Sequence, residues 1–231
     1  MENLRLKEVE INYEQRCAVQ FVLDKSESMD DKPIRNLNNG VKKLFDEVSN
    51  SAKLFNKLDI SIIAYDNNID VVREFSTYEE NSEAPVLSAG GTTHTPSALK
   101  KAIELVEERK DYYKKNGIPY HRPYIIHLTD GETCGDSLTL EFASDLIKNG
   151  EKNKKFTYWG FGVGDDVNMK ELETIKGPNS MVLRLQDVDS FEDFFKWLSN
   201  SFEQISDTSD GKEADFTPEK NCFKQTVYAG D

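Results

Sequence analysis

Three short segments of this sequence carry oxygen-bearing side chains in patterns that could hold a cation. They are DKSES (24–28), the glycine-rich GGTTHT (90–95) and DGE (130–132). Their candidate metal ligands are Asp24, Ser26, Ser28, Thr93 and Asp130. Because an unwound loop can turn every second side chain inward, the Asp-x-Ser-x-Ser alternation can present its oxygens to one point.

The residue types of this set are those that bind a hard cation. Two carboxylates and several hydroxyls, without thiolate or clustered imidazole, suit Mg²⁺ or Mn²⁺. Each segment alone has a simpler explanation, since Asp-x-Ser after a strand commonly forms an Asx-turn or helix cap, and Asp-Gly is common in turns. All three segments stand at a strand end or a helix entry, and this coincidence favours a metal site.

The elements that must position these segments are two buried strands and a helix. The apolar run 17–23 stops at Asp24, and RPYIIHLT (122–129) stops at Asp130, as expected of strands buried on both faces. Thr95-Pro96 predicts a helix start, with threonine as N-cap and proline next. In a doubly wound sheet the ligand crevice lies outside the carboxyl ends of the strands, where these segments would meet.

The rest of the chain continues the alternation of strands and helices. Further strands are predicted at 58–65, 71–75, 155–164 and 181–185, and further helices at about 33–48, 138–148, 169–175 and 189–202. Asn149-Gly150 is predicted to close the helix before it. The fold class is therefore α/β: a Rossmann-like, doubly wound, mostly parallel sheet with helices on both faces and one antiparallel edge strand from the hairpin at 58–75.

These motifs resemble a von Willebrand factor type A (VWA) domain over about residues 15–206. The resemblance rests on DKSESM, GTTHT and LTDGE, with VGD at 163–165 and FFKWLSNSFEQIS near the C-terminus. The last stretch, with AGGTTHT and RPYIIHLTDGE, looks most like the bacterial cytoplasmic branch associated with tellurium resistance and stress. The expected division is an N-terminal extension (1–15), a VWA domain (16–206) and a polar linker with C-terminal tail (207–231).

The resemblance implies a metal-ion-dependent adhesion site (MIDAS) and a non-enzymatic, metal-dependent adhesion or scaffold module. Ser26 and Ser28 would bind the ion through their hydroxyls, and Thr93 directly or through water. Asp24 and Asp130 would bind directly or through water while holding the loops by hydrogen bonds. The sixth position would belong to water or to an Asp or Glu carboxylate of a protein partner.

Composition narrows the class of protein. Lys and Arg total 29 against 42 Asp and Glu, a net charge of −13, which argues against binding nucleic acid or anionic membranes. No apolar run is long enough to span a bilayer, and MENLRLKEVE lacks the apolar core of a signal peptide. The widely spaced Cys17, Cys134 and Cys222 suit a reducing compartment. We therefore expect a cytoplasmic protein.

Two alternatives remain open from the residues. The first is a Mg²⁺-dependent phosphatase or phosphotransferase of the haloacid dehalogenase type, in which Gly164-Asp165-Asp166 would mimic the later acidic pair. That chemistry needs a second acid two residues after the nucleophile, where Ser26 stands. The second alternative is a VWA fold that binds no metal.

Two finer expectations concern single residues. Thr93 is preferred to the adjoining Thr92 as a ligand because of its spacing to Pro96 and Leu99. His127, within a buried strand, is expected to be a hydrogen-bonded core residue and not a ligand.

Overall fold

A computed structural model describes residues 15–77, 82–164, 167–185, 191–207 and 223–224. The strands are β1 (Cys17–Asp24), β2 (Leu58–Tyr65), β3 (Ile69–Thr77), β4 (Tyr124–Thr129), β5 (Thr157–Gly162), β6 (Met181–Leu185) and β7 (Phe223–Lys224). The helices are α1 (Lys32–Asn50), α2 (Ala52–Lys57), α3 (Thr95–Lys115), α4 (Leu140–Lys152), α5 (Met169–Ile175) and α6 (Phe191–Asp207). A single 3₁₀ turn, Glu27–Met29, follows β1.

The strands form one seven-stranded sheet in the order β3-β2-β1-β4-β5-β6-β7. The pairs β1–β2, β1–β4, β4–β5 and β5–β6 are parallel, and β3 adds antiparallel to β2 at one edge. The predicted α/β fold class is thus confirmed. At the other edge the two residues of β7 pair antiparallel with β6, which places part of the C-terminal segment on this sheet.

Helices cover both faces of the sheet, which explains why its central strands read as almost unbroken apolar runs. All eight residues of β1 are buried, and so are all eight of β2. Alternate side chains point to opposite faces. Val19 and Phe21 pack with α1 and α6 in one core cluster, whereas Val22 packs with α3 and α4 in another.

The strand order places a topological switch point between β1 and β4. The chain leaves β1 toward β2 on one side of the sheet and continues through β4 and β5 on the other. Ligand crevices of open α/β sheets lie outside the carboxyl ends of the strands at such a point. The ends of β1 and β4 are where the sequence places Asp24 and Asp130.

The structure corrects two local predictions. Helix α4 does not close at Asn149-Gly150 but continues to Lys152, because Gly150 is a packing site: a side chain there would collide with the ring of Phe156. Thr95 is not an N-cap; it lies within α3, and the backbone N–H of Ser97 donates instead to Asp136 Oδ2 (2.8 Å).

The proposed domain division stays a prediction. Most of the N-terminal extension (1–15) and of the tail (207–231) falls outside the described residues. Within the described ranges, none of the helices has the length and apolar character that crossing a bilayer requires.

Candidate metal centre

The first loop of the site is held in place by backbone hydrogen bonds to its neighbours. The Lys25 N–H donates to the Tyr65 carbonyl (2.8 Å), the Glu27 N–H to the Gly91 carbonyl (3.0 Å) and the Gly90 N–H to the Lys25 carbonyl (2.8 Å). Gly91 has a φ of +74°, and a side chain there would collide with the hairpin turn after β2. The glycine-rich segment therefore lies against DKSES because its backbone can approach closely.

Asp24 is the last residue of β1 and is fully buried. Its Oδ1 accepts the backbone N–H of Ser26 (2.9 Å), and its Oδ2 accepts the hydroxyl of Thr129 (2.6 Å). The Tyr65 hydroxyl, 3.4 Å away, is a third donor. Asp24 thus ties the ends of β1, β2 and β4 together.

Ser26, Ser28 and Asp130 form a continuous line of oxygens. The hydroxyls of Ser26 and Ser28 are 3.0 Å apart, and Ser28 donates to Asp130 Oδ1 (2.8 Å). Adjacent ligands of an octahedral Mg²⁺ with bonds of about 2.1 Å lie about 3.0 Å from each other. The spacing of these oxygens therefore matches neighbouring positions around such an ion.

Thr93 brings the third segment to the same place. Its side chain is buried, and its carbonyl accepts the N–H of Cys134 (2.9 Å), which joins this loop to the one after β4. A Cβ built on Gly131 would lie 3.4 Å from Thr93 Oγ1 and 3.5 Å from Ser28 Oγ, so both hydroxyls face this glycine. Thr92, in contrast, is exposed, with its hydroxyl 3.2 Å from His94 Nε2.

The two carboxylates of the site lie close together without a positively charged partner in the described part of the chain. Burial raises the pKa of Asp24, against the lowering effect of its hydrogen bonds from Thr129, Ser26 and Tyr65. Burial and the charge of Asp24 raise the pKa of Asp130 to about 6. In the described part of the chain neither carboxylate forms an ion pair with Lys, Arg or His. A divalent cation would supply the missing charge.

The hydroxyl content of the site also agrees with a cation of this type. Among the described residues, no group of three or more His, Cys, Asp or Glu side chains is placed to hold a metal ion. The donor set that does converge is two carboxylates and three hydroxyls, all hard oxygen donors of the kind that Mg²⁺ and Mn²⁺ prefer.

A family comparison agrees with the fold. The family model of the von Willebrand factor type A domain matches residues 19–197, which include all five candidate ligands. The chain belongs to the VWA family. No curated protein sequence matches it.

Solved structures resemble this VWA chain in fold. Proximal thread matrix protein 1 (PTMP1) from the mussel byssus, with a zinc-occupied MIDAS motif, is 18% identical, with a TM-score of 0.57 over 81% of this chain and 48% of PTMP1. Another PTMP1 structure is 17% identical, with a TM-score of 0.55 over 81% of this chain and 46% of that one. The chain therefore spans about half the length of PTMP1.

A bacterial structure matches over nearly its whole length. The vWF domain of the type V pili tip protein Mfa5 from Porphyromonas gingivalis is 11% identical, with a TM-score of 0.57 over 86% of this chain and 99% of that one. At such identities the likeness establishes the fold alone.

Sequence reasoning missed two groups that hold Asp24. Thr129 immediately precedes Asp130, and Tyr65 pairs with Asp24 in the register of β1 and β2. Thr129 could have been found, because a hydroxyl in the last residue of a strand next to Asp24 can reach its carboxylate. Tyr65 reads as an apolar strand end, and only the strand order reveals its role.

Two further acidic residues, Glu27 and Glu132, belong to the same loops as the candidate ligands. Glu27 is exposed. Glu132 is also exposed, and its Oε1 accepts a hydrogen bond from the Asn168 side-chain amide (2.8 Å). Asp165 and Asp166, the acidic pair of the phosphatase alternative, lie outside the described residues.

Proposed function

We propose that this VWA domain is a metal-dependent protein-binding module. Asp24, Ser26, Ser28, Thr93 and Asp130 would hold one divalent cation, Mg²⁺ or Mn²⁺, and the ion would bind an Asp or Glu carboxylate of a partner protein. The observation that carries the proposal is the convergence of three loops on two carboxylates that have no cationic partner in the described chain, with oxygens spaced 2.8 and 3.0 Å apart.

The exposure of the candidate ligands gives the site one open side. Asp24, Ser26 and Thr93 are buried, whereas Ser28 is exposed and Asp130 is half-buried. A partner carboxylate would therefore approach past Ser28 and Asp130. When bound, the ion supplies the positive charge that attracts this carboxylate.

Adhesion rather than hydrolysis is the activity that the site supports. A phosphatase of the haloacid dehalogenase type needs an acid two residues after its nucleophile, and that position holds the buried hydroxyl of Ser26. A serine hydroxyl does not exchange a proton usefully near neutral pH. The residue two positions after Asp24 therefore does not supply the general acid that this phosphatase chemistry uses.

The cellular setting is proposed from the sequence. We place the protein in the cytoplasm because of its cysteine pattern, and in the bacterial branch associated with tellurium resistance and stress because of its motifs. The PTMP1 structure shows zinc in a related motif. Here the hydroxyl-rich donor set favours the harder Mg²⁺ or Mn²⁺.

A calorimetric titration of Mg²⁺ and Mn²⁺ into metal-free protein tests the proposal. We expect saturable binding that is lost in Ser26→Ala and Asp130→Ala and kept in Ser137→Ala, a matched control in which an exposed hydroxyl of the loop after β4 is removed. Binding that survives both site substitutions would place the ion elsewhere. Absence of binding to the unmodified protein would favour a VWA fold without metal.

An activity assay separates the adhesion function from the enzymatic alternative. Turnover of p-nitrophenyl phosphate by the Mg²⁺-loaded protein, abolished by Asp24→Asn, would support the phosphatase and contradict the binding module. We expect no turnover with either ion. Capture of a protein partner in Mg²⁺ but not in EDTA, lost with Ser26→Ala, would then identify the carboxylate donor.

A further inference from the structure

A line of fully buried polar side chains runs from Asp24 into the core. The Tyr65 hydroxyl lies 3.4 Å from Asp24 Oδ2 and 2.9 Å from His127 Nε2. On the other side of the imidazole, His127 Nδ1 lies 2.8 Å from the Tyr158 hydroxyl. All four residues are 0% exposed. Buried polar groups cost free energy unless their hydrogen bonds are satisfied, so the direction of each bond is constrained.

The sheet register explains why these side chains meet. Asp24 pairs with Tyr65, Val22 with His127, and Ile125 with Tyr158. Each step from β2 to β4 to β5 thus descends the sheet by two residues, which keeps Tyr65, His127 and Tyr158 on one face. This is the face covered by α3 and α4.

The direction of the bonds follows from the hydrogens available, starting at Tyr158. Among the described residues, the Tyr158 hydroxyl has one hydrogen-bond partner, which is His127 Nδ1. A buried hydroxyl that does not donate leaves its hydrogen unsatisfied. Tyr158 therefore donates to Nδ1.

The imidazole carries the direction onward. Burial lowers the pKa of His127 to about 3, so the ring is neutral at physiological pH and has one N–H. With Nδ1 accepting from Tyr158, the proton is on Nε2. The Nε2–H then donates to the Tyr65 oxygen.

Thr95 completes the arrangement at Tyr65. Its buried hydroxyl lies 3.1 Å from the Tyr65 oxygen, which is its hydrogen-bond partner among the described residues. By the same accounting Thr95 also donates to Tyr65. The Tyr65 oxygen then accepts two hydrogen bonds, and its own hydrogen is left for the carboxylate of Asp24.

We infer that Tyr158, His127 and Tyr65 are positioning residues that form a one-way hydrogen-bond relay toward Asp24 and hold its carboxylate ready for a cation. The inference rests on the proposed function for its purpose, though not for its hydrogen-bond direction. The donor to Asp24 is the neutral Tyr65 hydroxyl. It orients the ionised carboxylate but does not neutralise its charge, which is left for the ion.

Gly160 supplies independent support. It pairs with His127 across β4 and β5, and a Cβ at this position would lie 2.9 Å from the Tyr158 hydroxyl oxygen. Since real Cβ contacts are almost never this short, any side chain at position 160 would displace that hydroxyl. The strand thus has a glycine where the relay needs room.

The histidine tautomer tests the direction directly. The chain has three histidines, so ¹⁵N–¹H correlation of the imidazole nitrogens at neutral pH is assignable, with His127→Gln identifying the signals of that ring. We expect the neutral Nε2–H tautomer for His127, and loss of this fixed tautomer in Tyr158→Phe. A neutral Nδ1–H tautomer, or an imidazolium, would overturn the relay.

Metal affinity tests the purpose. Groups bonded directly to a metal ligand typically change affinity by about 10- to 100-fold, and Tyr158 acts through two further residues, so we expect Tyr158→Phe to weaken Mn²⁺ binding by about 3- to 10-fold. Gly160→Ala should have the same effect. The control is Tyr124→Phe, which removes the hydroxyl of a partly buried tyrosine on β4 that stands outside the relay.

The outcomes are separable. Affinity in Tyr158→Phe equal to that of the unmodified protein and of Tyr124→Phe would overturn the positioning role. If the unmodified protein takes up neither Mg²⁺ nor Mn²⁺, the proposed function fails and the positioning role fails with it. In that case the tautomer spectrum still decides the direction of the bonds.

Discussion

Replacing Asp130 by asparagine should stabilise the metal-free protein while weakening its metal binding. Burial and the charge of Asp24 raise the pKa of Asp130 to about 6 from an ordinary 3.8. Two pKa units correspond to about 3 kcal/mol of penalty on the ionised form. Because Asp130 is half-exposed and solvent screens its charge, we expect a gain of about 1–2 kcal/mol in the free energy of unfolding at neutral pH.

The gain should depend on pH in a defined direction. The folded-state pKa of Asp130 lies above the unfolded value, so the native carboxyl holds its proton more tightly between about pH 4 and 6. The penalty in the unmodified protein is absent below this window and complete above it. The advantage of Asp130→Asn should therefore vanish near pH 4 and be complete above pH 6.

Thermal unfolding in EDTA and in Mg²⁺ measures both effects. In EDTA, a gain of 1–2 kcal/mol corresponds to a Tm increase of about 2–8 °C for a chain of this size. In Mg²⁺ the order should reverse, because a ligand that binds only the native state stabilises the protein that binds it.

A matched control removes one carboxylate elsewhere. Asp145→Asn changes an exposed residue of α4 and should shift Tm little in either condition. The reasoning is refuted if Asp130→Asn is less stable than the unmodified protein in EDTA, or if Mg²⁺ stabilises both equally.

Three further predictions concern the core. Because the folded-state pKa of His127 is depressed to about 3, stability falls as pH drops through 6.5; urea unfolding at pH 7 and 5 should show the unmodified protein losing about 2 kcal/mol more than His127→Gln. Gly40→Ala in α1 places a Cβ 2.5 Å from the ring of Phe195 and should lower the free energy of unfolding, measured with denaturant, by about 1–3 kcal/mol. The control Asn39→Ala changes an exposed residue of the same helix and should lower it by less than about 0.5 kcal/mol. Asp59→Asn leaves Arg16 and Arg109 without their buried carboxylate and should lower the free energy of unfolding by about 3–5 kcal/mol in the same assay. A loss below about 1 kcal/mol would contradict this prediction.

The sequence predicted the sheet because its central strands are buried on both faces. Long apolar runs that stop at an aspartate, such as 17–23 before Asp24, carry both the strand and its end. The candidate ligands were identified from the same pattern, since parallel strands place their carboxyl ends at one edge of the sheet. Their role in metal binding stays a prediction. At these strand ends the local sequence is enough for the prediction, because it does not depend on contacts between residues distant along the chain.

The misses have a common cause in contacts between residues distant along the chain. Thr95 looks like an N-cap, but its hydroxyl lies 3.1 Å from Tyr65, thirty residues away, and Asp136 satisfies the start of α3 instead. Gly150 looks like a helix end, but it makes room for Phe156. Propensity describes what a residue favours alone, and tertiary packing overrides it at both positions.

The clearest mark of the candidate site is the contrast between two fully buried aspartates at opposite ends of the sheet. Asp59, near the start of β2, is neutralised by Arg16 and Arg109 and also accepts the hydroxyl of Tyr113. Asp24, at the end of β1, is equally buried but accepts hydrogen bonds only from neutral groups in the described chain.

Among the described residues both aspartates have hydrogen-bond donors, but only Asp59 has cationic partners. Burial without a counter-ion disfavours the ionised form of a carboxyl group, and burial accordingly raises the pKa of Asp24. This chain builds an arginine pair where a buried carboxylate is structural. The described residues place no such pair at Asp24, which lies beside a second carboxylate and three hydroxyls, and a bound cation would supply the missing charge.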